Sequence, residues 1–320
     1  VIKKKKSKLK IRTNGKIYRL QDSPFYKLTS KKRFASLLNL EYDQLKQLLS
    51  NSDSKFEKFT QVKEGKKPRA IQKPITSFAP LHCRIASLLC RIGTPEYLHS
   101  GKKGRSNLSN AQSHSGKHKL LAVDIESFFE STSHEKVYSF FRGHLKCSSD
   151  IADALCKLCL CDSHIPTGSQ LSMPLAYWAN SNMFNELDML ATKHRVKMSV
   201  YVDDVVFSGE QLNKLFLSTV KKICARYGMT VHPDKIRLYN KEQPKVVTGV
   251  AIIGGELKVD HKQHKLLEND LKLWNACKED PIASDLSLPR KISGRLSAMG
   301  SVEKEYLDRA RSFRKKNSIR

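Results

Sequence analysis

The stretch Met198-Ser-Val-Tyr-Val-Asp-Asp-Val-Val-Phe207 sets two adjacent carboxylates, Asp203 and Asp204, inside an apolar run. Buried like charges repel, and each needs a compensation that apolar neighbours cannot give. Neighbouring side chains on an extended strand point to opposite faces, so an adjacent pair shares a site best at a hairpin turn. Val200-Tyr-Val before the pair and Val205-Val-Phe after it fit that hairpin. A third carboxylate, Asp124, closes another apolar strand, Leu120-Leu-Ala-Val-Asp-Ile, and is followed by Phe128-Phe129. Three carboxylates at strand ends can hold two magnesium ions for in-line phosphoryl or nucleotidyl transfer. One ion activates the attacking hydroxyl and the other stabilises the leaving pyrophosphate.

Charge points the same way. Lys and Arg total 58 against 31 acidic residues, an excess of 27 that costs self-repulsion unless a polyanion neutralises it. Nucleic acid is the commonest such partner. A membrane-coating protein would need an amphipathic anchor or a lipidation signal, and neither is found; no stretch approaches the roughly 18 apolar residues that span a bilayer. The lysine run Lys3 to Lys6 lacks the hydrophobic segment of a secretory signal, so the eight cysteines are expected as reduced thiols of a cytoplasmic protein. Cys156-x-x-Cys159-x-Cys161-x-x-His164 lacks the paired knuckles of most zinc sites. The helical spacing of apolar residues from Ile151 to Leu160 makes these cysteines packing residues.

Along the chain, residues 1–24 form a basic arm, with nine Lys or Arg and no acid in the first twenty. Residues 27–50 read as short helices, the first capped by Thr29 or Ser30. Phe56 to Pro74 reads as strand, turn (Glu64-Gly-Lys-Lys-Pro), strand, and Pro80 to Ile92 as a helix buried through Leu81, Ile85, Leu88 and Leu89. Helices are expected from about Ser133 to Leu160 and from Leu171 to Thr192. Leu212 to Tyr227 is another, closed by Gly228. Lys245 to Ile253 reads as one strand, with a turn at Gly254-Gly255 and a second strand after it. His261 to Arg320 is helical and basic.

These motifs resemble those of reverse transcriptases. Tyr201-Val-Asp-Asp204 is similar to the family's Tyr-x-Asp-Asp box, and Asp124-Ile-Glu-Ser-Phe-Phe129 to its first catalytic motif. The resemblance implies catalysis by Asp124, Asp203 and Asp204 as ligands of two Mg²⁺ (Mn²⁺ a substitute), with Phe129 as the steric gate against a ribose 2′-hydroxyl. Ile165-Pro-Thr-Gly168-Ser-Gln-Leu-Ser172-Met-Pro174 resembles the Pro-Gln-Gly…Ser-Pro motif, so Thr167 and Gly168 would face the incoming nucleotide, with Thr167 where Gln is usual. Gly228-Met-Thr-Val-His-Pro-Asp-Lys235 resembles the motif whose lysine protonates pyrophosphate. Arg69, and less clearly Lys67, match the fingers cations that hold the triphosphate.

Asn110-Ala-Gln-Ser-His114 and Val247-Thr248-Gly249 resemble the Asn-Ala-x-x-His and Val-Thr-Gly signatures of retron reverse transcriptases. They are assigned here to RNA binding together with Arg309, Arg311 and Arg314, although for Asn110 and His114 a structural role in a loop is favoured over catalysis. The resemblance implies an α+β right-hand polymerase: fingers 25–115, a palm with a small antiparallel sheet at 116–253 (fingers insertion around 130–175), and a helical thumb at 254–320. It implies RNA-directed DNA synthesis on a partner non-coding RNA (msr-msd), with deoxynucleoside triphosphates as substrates. Priming would be from an RNA 2′-hydroxyl, and the product multicopy single-stranded DNA joined to RNA. The setting would be anti-phage defence with a separate effector protein and no membrane. A stand-alone defence enzyme, a group II intron-like enzyme, or a non-catalytic RNA-binding scaffold are the alternatives; the last would be expected to lose one of the three acids, and all three are present. Tyr177 and Trp178 are expected in the core, and Glu126 either beside the metal-binding strand or in solvent.

Overall fold

A computed structural model describes residues 9–50, 55–62, 68–279 and 287–317. The Lys3–Lys6 run, Lys67 and most of the Glu64–Pro68 turn lie outside the described residues. In chain order the elements are α1 (Lys31–Leu37), α2 (Tyr42–Ser50), β1 (Phe56–Gln61), β2 (Arg69–Pro74), α3 (Ala79–Leu89) and α4 (Asn107–Gln112). Then come β3 (Leu120–Asp124), α5 (His134–Ser139), α6 (Ser149–Cys159), α7 (Ser172–Ala179) and α8 (Ser181–Lys193). β4 (Lys197–Tyr201), β5 (Asp204–Ser208), α9 (Lys214–Arg226), β6 (Arg237–Tyr239), β7 (Lys245–Val247), β8 (Val250–Ile253) and β9 (Glu256–Val259) follow. Three helices end the described chain: α10 (His261–Glu279), α11 (Leu288–Gly300) and α12 (Glu305–Lys316). The class is α+β, as expected. No described helix is long and apolar enough to cross a membrane.

The chain divides into two compact units. One holds residues through Glu96 with Ile125–Leu190 and Ser218–His232; the other holds Tyr97–Asp124, Ala191–Leu217 and the chain from Pro233 on.

In the first unit, Ser30 caps α1 by accepting from the Arg33 amide at 3.2 Å. The predicted stripe of α3 is buried, with Leu81, Ile85, Leu88 and Leu89 all in the core. The helix expected over 133–160 is broken: α5 passes into a π-turn at Phe140–His144 before α6 begins. The helix expected over 171–192 is likewise split. Asn180 holds the break, its amide donating to Thr132 Oγ1 at 2.9 Å. Cys156, Cys159 and Cys161 are buried packing residues, and burial pushes the Cys156 thiol up to about 12. Tyr177 and Trp178 are in the core.

β1 and β2 form an antiparallel hairpin, and the loop 165–172 is laced to it. Thr167 Oγ1 donates to the Ala70 carbonyl at 3.0 Å and accepts from the Gln72 amide at 3.2 Å, while the Gly168 amide donates to the Gln72 carbonyl at 2.9 Å. A Cβ on Gly168 would lie 2.8 Å from that carbonyl oxygen, so only glycine permits this approach.

The second unit carries a four-stranded antiparallel sheet in the order β4-β5-β3-β6 and a three-stranded sheet β7-β8-β9. The strand expected over 245–253 is two strands, folded back at Thr248 (φ +46°) and Gly249 (φ +80°). Gly254 and Gly255 (φ +61° and +92°) make the next turn as expected. Leu267, Ile292, Leu296, Met299, Tyr306 and Ala310 join α10, α11 and α12 in one core. Within it the buried Asp270 carboxylate is held by Arg295 at 2.9 Å and Lys291 at 2.8 Å.

Gly168→Ala forces the loop off β2 and is expected to destabilise the protein by about 1–3 kcal/mol. A fall in the denaturant midpoint, compared with Gly294→Ala as a control for a glycine with no close neighbour and no left-handed backbone, checks this.

Candidate active site

The site is built on one side of the second unit's sheet. β3 pairs with β5 so that Asp124 stands opposite Asp204, and β4 pairs with β5 so that Tyr201 stands opposite Asp204. Val202 and Asp203 are left as a two-residue hairpin turn. The expected hairpin is present, with the acidic pair split between the turn and the first position of β5. Val202 has φ +62°, a left-handed conformation that a β-branched residue adopts at a cost of roughly 1–3 kcal/mol. Its amide donates to Ser100 Oγ at 3.0 Å, an anchor that sequence reading did not single out.

The three carboxylates interact. Burial first, then Asp203 and Asp124, push the Asp204 carboxyl up to about 7; Lys235 pulls the other way. The Lys235 ammonium lies 2.7 Å from Asp124 Oδ1, so the lysine expected to serve pyrophosphate here supplies countercharge to the first carboxylate. Among the described residues no three His, Cys, Asp or Glu side chains stand together as a finished metal cage. The donor set nonetheless fits a divalent cation: hard carboxylate oxygens, crowded enough that one holds a proton more tightly than usual.

Beneath this hairpin lies a buried polar cluster. His114, 1% exposed, bonds through Nδ1 to Ser208 Oγ and through Nε2 to Ser199 Oγ, both at 2.7 Å. It thus ties β4 to β5, and burial lowers its pKa to about 3, so the ring is neutral. Asn110 is fully buried and donates from Nδ2 to Thr248 Oγ1 at 3.4 Å, while Thr248 Oγ1 donates to the Asn107 carbonyl at 3.0 Å. Ala111 packs with Val247, Val250 and Ile252. The Asn-Ala-x-x-His and Val-Thr-Gly segments therefore fold against each other. This corrects the assignment of Asn110, His114 and Val247 to direct RNA contact, because their side chains are buried in the protein; Thr248 and Gly249 form the accessible turn.

The remaining candidates are dispersed. Arg69 is exposed at the start of β2, Thr167 is spent on β2 as described, and Phe129 is half-buried against Phe128, in the first unit. Glu126 is exposed. On α12, Arg309 lies over the Tyr306 ring at 5.0 Å and Arg311 pairs with Asp308 at 3.0 Å. Arg314 donates to Ser293 Oγ at 2.7 Å and to Ser297 Oγ. Sequence reading missed the network on β2 in which Gln72 Nε2 donates to Asp162 Oδ2 at 3.0 Å and Lys58 meets Asp162 Oδ1 at 2.7 Å.

Residues 21–252 match the reverse transcriptase (RNA-dependent DNA polymerase) family. The chain belongs to that family. The curated relatives it resembles are retron reverse transcriptases. The retron Se72 reverse transcriptase of Salmonella heidelberg (strain 579083-10) is 25% identical, over 73% of this chain and 64% of that protein. The retron Ec86 reverse transcriptase of Escherichia coli is 23% identical, over 71% of this chain and 72% of that one. The matched part thus spans about two thirds of these relatives' length. Among solved structures, the foamy viral protease-reverse transcriptase in complex with double-stranded DNA aligns with a TM-score of 0.41 and 14% identity, over 90% of this chain and 44% of that one.

His114→Ala removes the partner of two buried hydroxyls and leaves a cavity, at an expected cost of about 2–4 kcal/mol. The depressed pKa of His114 means that its contribution is complete above about 6.5, the unfolded value, and is lost as pH falls toward about 3. Denaturation midpoints measured from pH 7 to pH 4 should therefore fall less steeply in His114→Gln than in the wild type.

Proposed function

We propose that this retron-type family member is an RNA-directed DNA polymerase whose catalytic and metal-binding residues are Asp124, Asp203 and Asp204. The observation that carries the reading is the β3–β5 register, which sets Asp124 across from Asp204 beside the Asp203 turn. Two Mg²⁺ ions, when bound, would activate the primer hydroxyl and stabilise the leaving pyrophosphate. The chain's own part is to gather the carboxylates. Ser100 and the strained Val202 turn fix Asp203, the β3 pairing fixes Asp124, and Lys235 offsets charge until the site is loaded. Arg69, Lys67, Phe129, Thr167 and Gly168 are proposed to contact the incoming nucleotide, Thr167 through its backbone because its hydroxyl is engaged.

In this reading the sheet β4-β5-β3-β6 belongs to a palm over about 116–253. The β1–β2 hairpin belongs to fingers over about 25–115, and α10 to α12 form a thumb from 254. The template is a partner non-coding RNA, bound through the Thr248–Gly249 turn and the basic face of Arg309, Arg311 and Arg314. Synthesis starts from an RNA 2′-hydroxyl and yields multicopy single-stranded DNA, and the system serves phage defence with a separate effector in the bacterial cytoplasm. The excess of 27 positive charges supports a polyanionic partner of this size.

Asp203→Asn should lower primer extension on a primed RNA with Mg²⁺ by at least about 10³-fold, roughly 4 kcal/mol of barrier, while RNA affinity stays within about twofold. Retained extension would remove the mechanism. Sequencing of copurified nucleic acid should give a short branched DNA joined to RNA; a long repetitive or untemplated DNA would oppose the retron product.

A further inference from the structure

At the end of the β4–β5 hairpin away from the acidic turn, the second unit holds a cavity of 530 Å³. Lys197 and Ser208, paired across the strands, line it; four residue steps, roughly 13 Å, separate them from the Tyr201–Asp204 pair. Gln112, His118, Arg195 and Glu210 are also in its wall. The volume is that of a small-molecule or nucleotide site.

The charge in this cavity is not balanced by the protein. Among the described residues, neither the Arg195 guanidinium nor the Lys197 ammonium has a hydrogen-bond or ion-pair partner. The one acid in the wall, Glu210, is already held by Lys241 at 2.7 Å, with His118 at 3.9 Å. Lys197 is felt as positive charge by the buried His114.

The backbone at Arg195 supplies an independent argument. α8 closes with the Val196 amide donating to the Ala191 carbonyl (2.8 Å) and the Arg195 amide to the Thr192 carbonyl (3.0 Å). α9 closes with the same pair of bonds, Met229 to Cys224 and Gly228 to Ala225, both at 2.9 Å. In α9 the left-handed residue is Gly228 (φ +65°), the residue this motif favours; in α8 it is Arg195 (φ +51°). An arginine there costs on the order of 1 kcal/mol against glycine. Among the described residues its side chain gains no hydrogen bond or ion pair in return. A strained backbone that holds an uncompensated cation beside a second one, in a concave wall, is the arrangement of a site for an anion.

We propose that this cavity is a phosphate-binding site separate from the acidic hairpin, in which Arg195 and Lys197 together take one phosphoryl group. The group would belong to a free nucleotide or to the backbone of a bound RNA strand. A guanidinium and an ammonium in one wall suit the anionic oxygens of either source, and Gln112 in the same wall adds a neutral donor.

The test uses the full chain at fixed ionic strength in EDTA, with ATP as one probe and a fluorescein-labelled 12-nucleotide single-stranded RNA as the other. Arg195→Ala/Lys197→Ala is compared with Lys193→Ala/Lys214→Ala, which removes two exposed cations of the same unit that do not line the cavity. Weakening of ATP binding by at least about fivefold beyond the control supports a free-nucleotide site. The same loss for the RNA supports a strand phosphate, and loss of both supports the shared phosphate chemistry. If neither probe loses more than it does in the control, the proposal is overturned. Both substitutions are at exposed, unpartnered side chains, so unchanged thermal midpoints are expected, and Arg195→Gly, which relieves the backbone, should lose the same binding while raising stability.

Discussion

The alignment of β3 with β5 is the constraint on which the candidate site depends. A sheet side chain repeats every two residues, so a slip of one residue would turn Asp124 away from Asp204. Both faces of these strands are buried, with Leu120, Leu121 and Val123 on β3 and Val205, Val206 and Phe207 on β5, so a slip would have to repack two apolar surfaces at once. The concentration of negative charge is thus enforced by the hydrophobic packing of the residues beside it. Burial then raises the cost of charge there, pushing the Asp204 carboxyl up beside Asp203 and Asp124.

A second layer of polar contacts supports this one without touching it. A neutral imidazole joins the two strands of the acidic hairpin from inside, and the helix just before it is fastened to the Thr248 turn by Asn107 and Asn110. The two signature segments lie more than a hundred residues apart and form one packed joint. Together they pack beneath the β4–β5 hairpin, and Gly249 at the tip of the turn is exposed.

Much of this was legible in the sequence because period and charge were in conflict there. An acidic pair inside an apolar run has few physical solutions, and the hairpin is the cheapest. The stripe of α3, the Gly228 closure of α9 and the burial of the cysteine cluster followed from spacing alone. The breaks inside the two long helical stretches did not. At Asn180 the interruption is offset by a tertiary hydrogen bond to Thr132, and the π-turn after α5 has no local signature. The fold-back at Thr248 was missed because a threonine, not the usual Asn or Gly, takes the first left-handed position. The burial of Asn110 and His114 was equally hidden, since a short polar helix looks exposed until its neighbours are known. Ser100 gave no signal at all; its role rests on one bond to a backbone amide a hundred residues downstream.

That bond gives the turn a particular character. A valine cannot hold a left-handed backbone by preference, so the shape of the Val202–Asp203 corner is imposed from outside by two strands and a serine hydroxyl. Such a corner stores energy like a bent spring. It stays sharp only while its clamps hold, and its geometry is inherited from residues that never approach the chemistry.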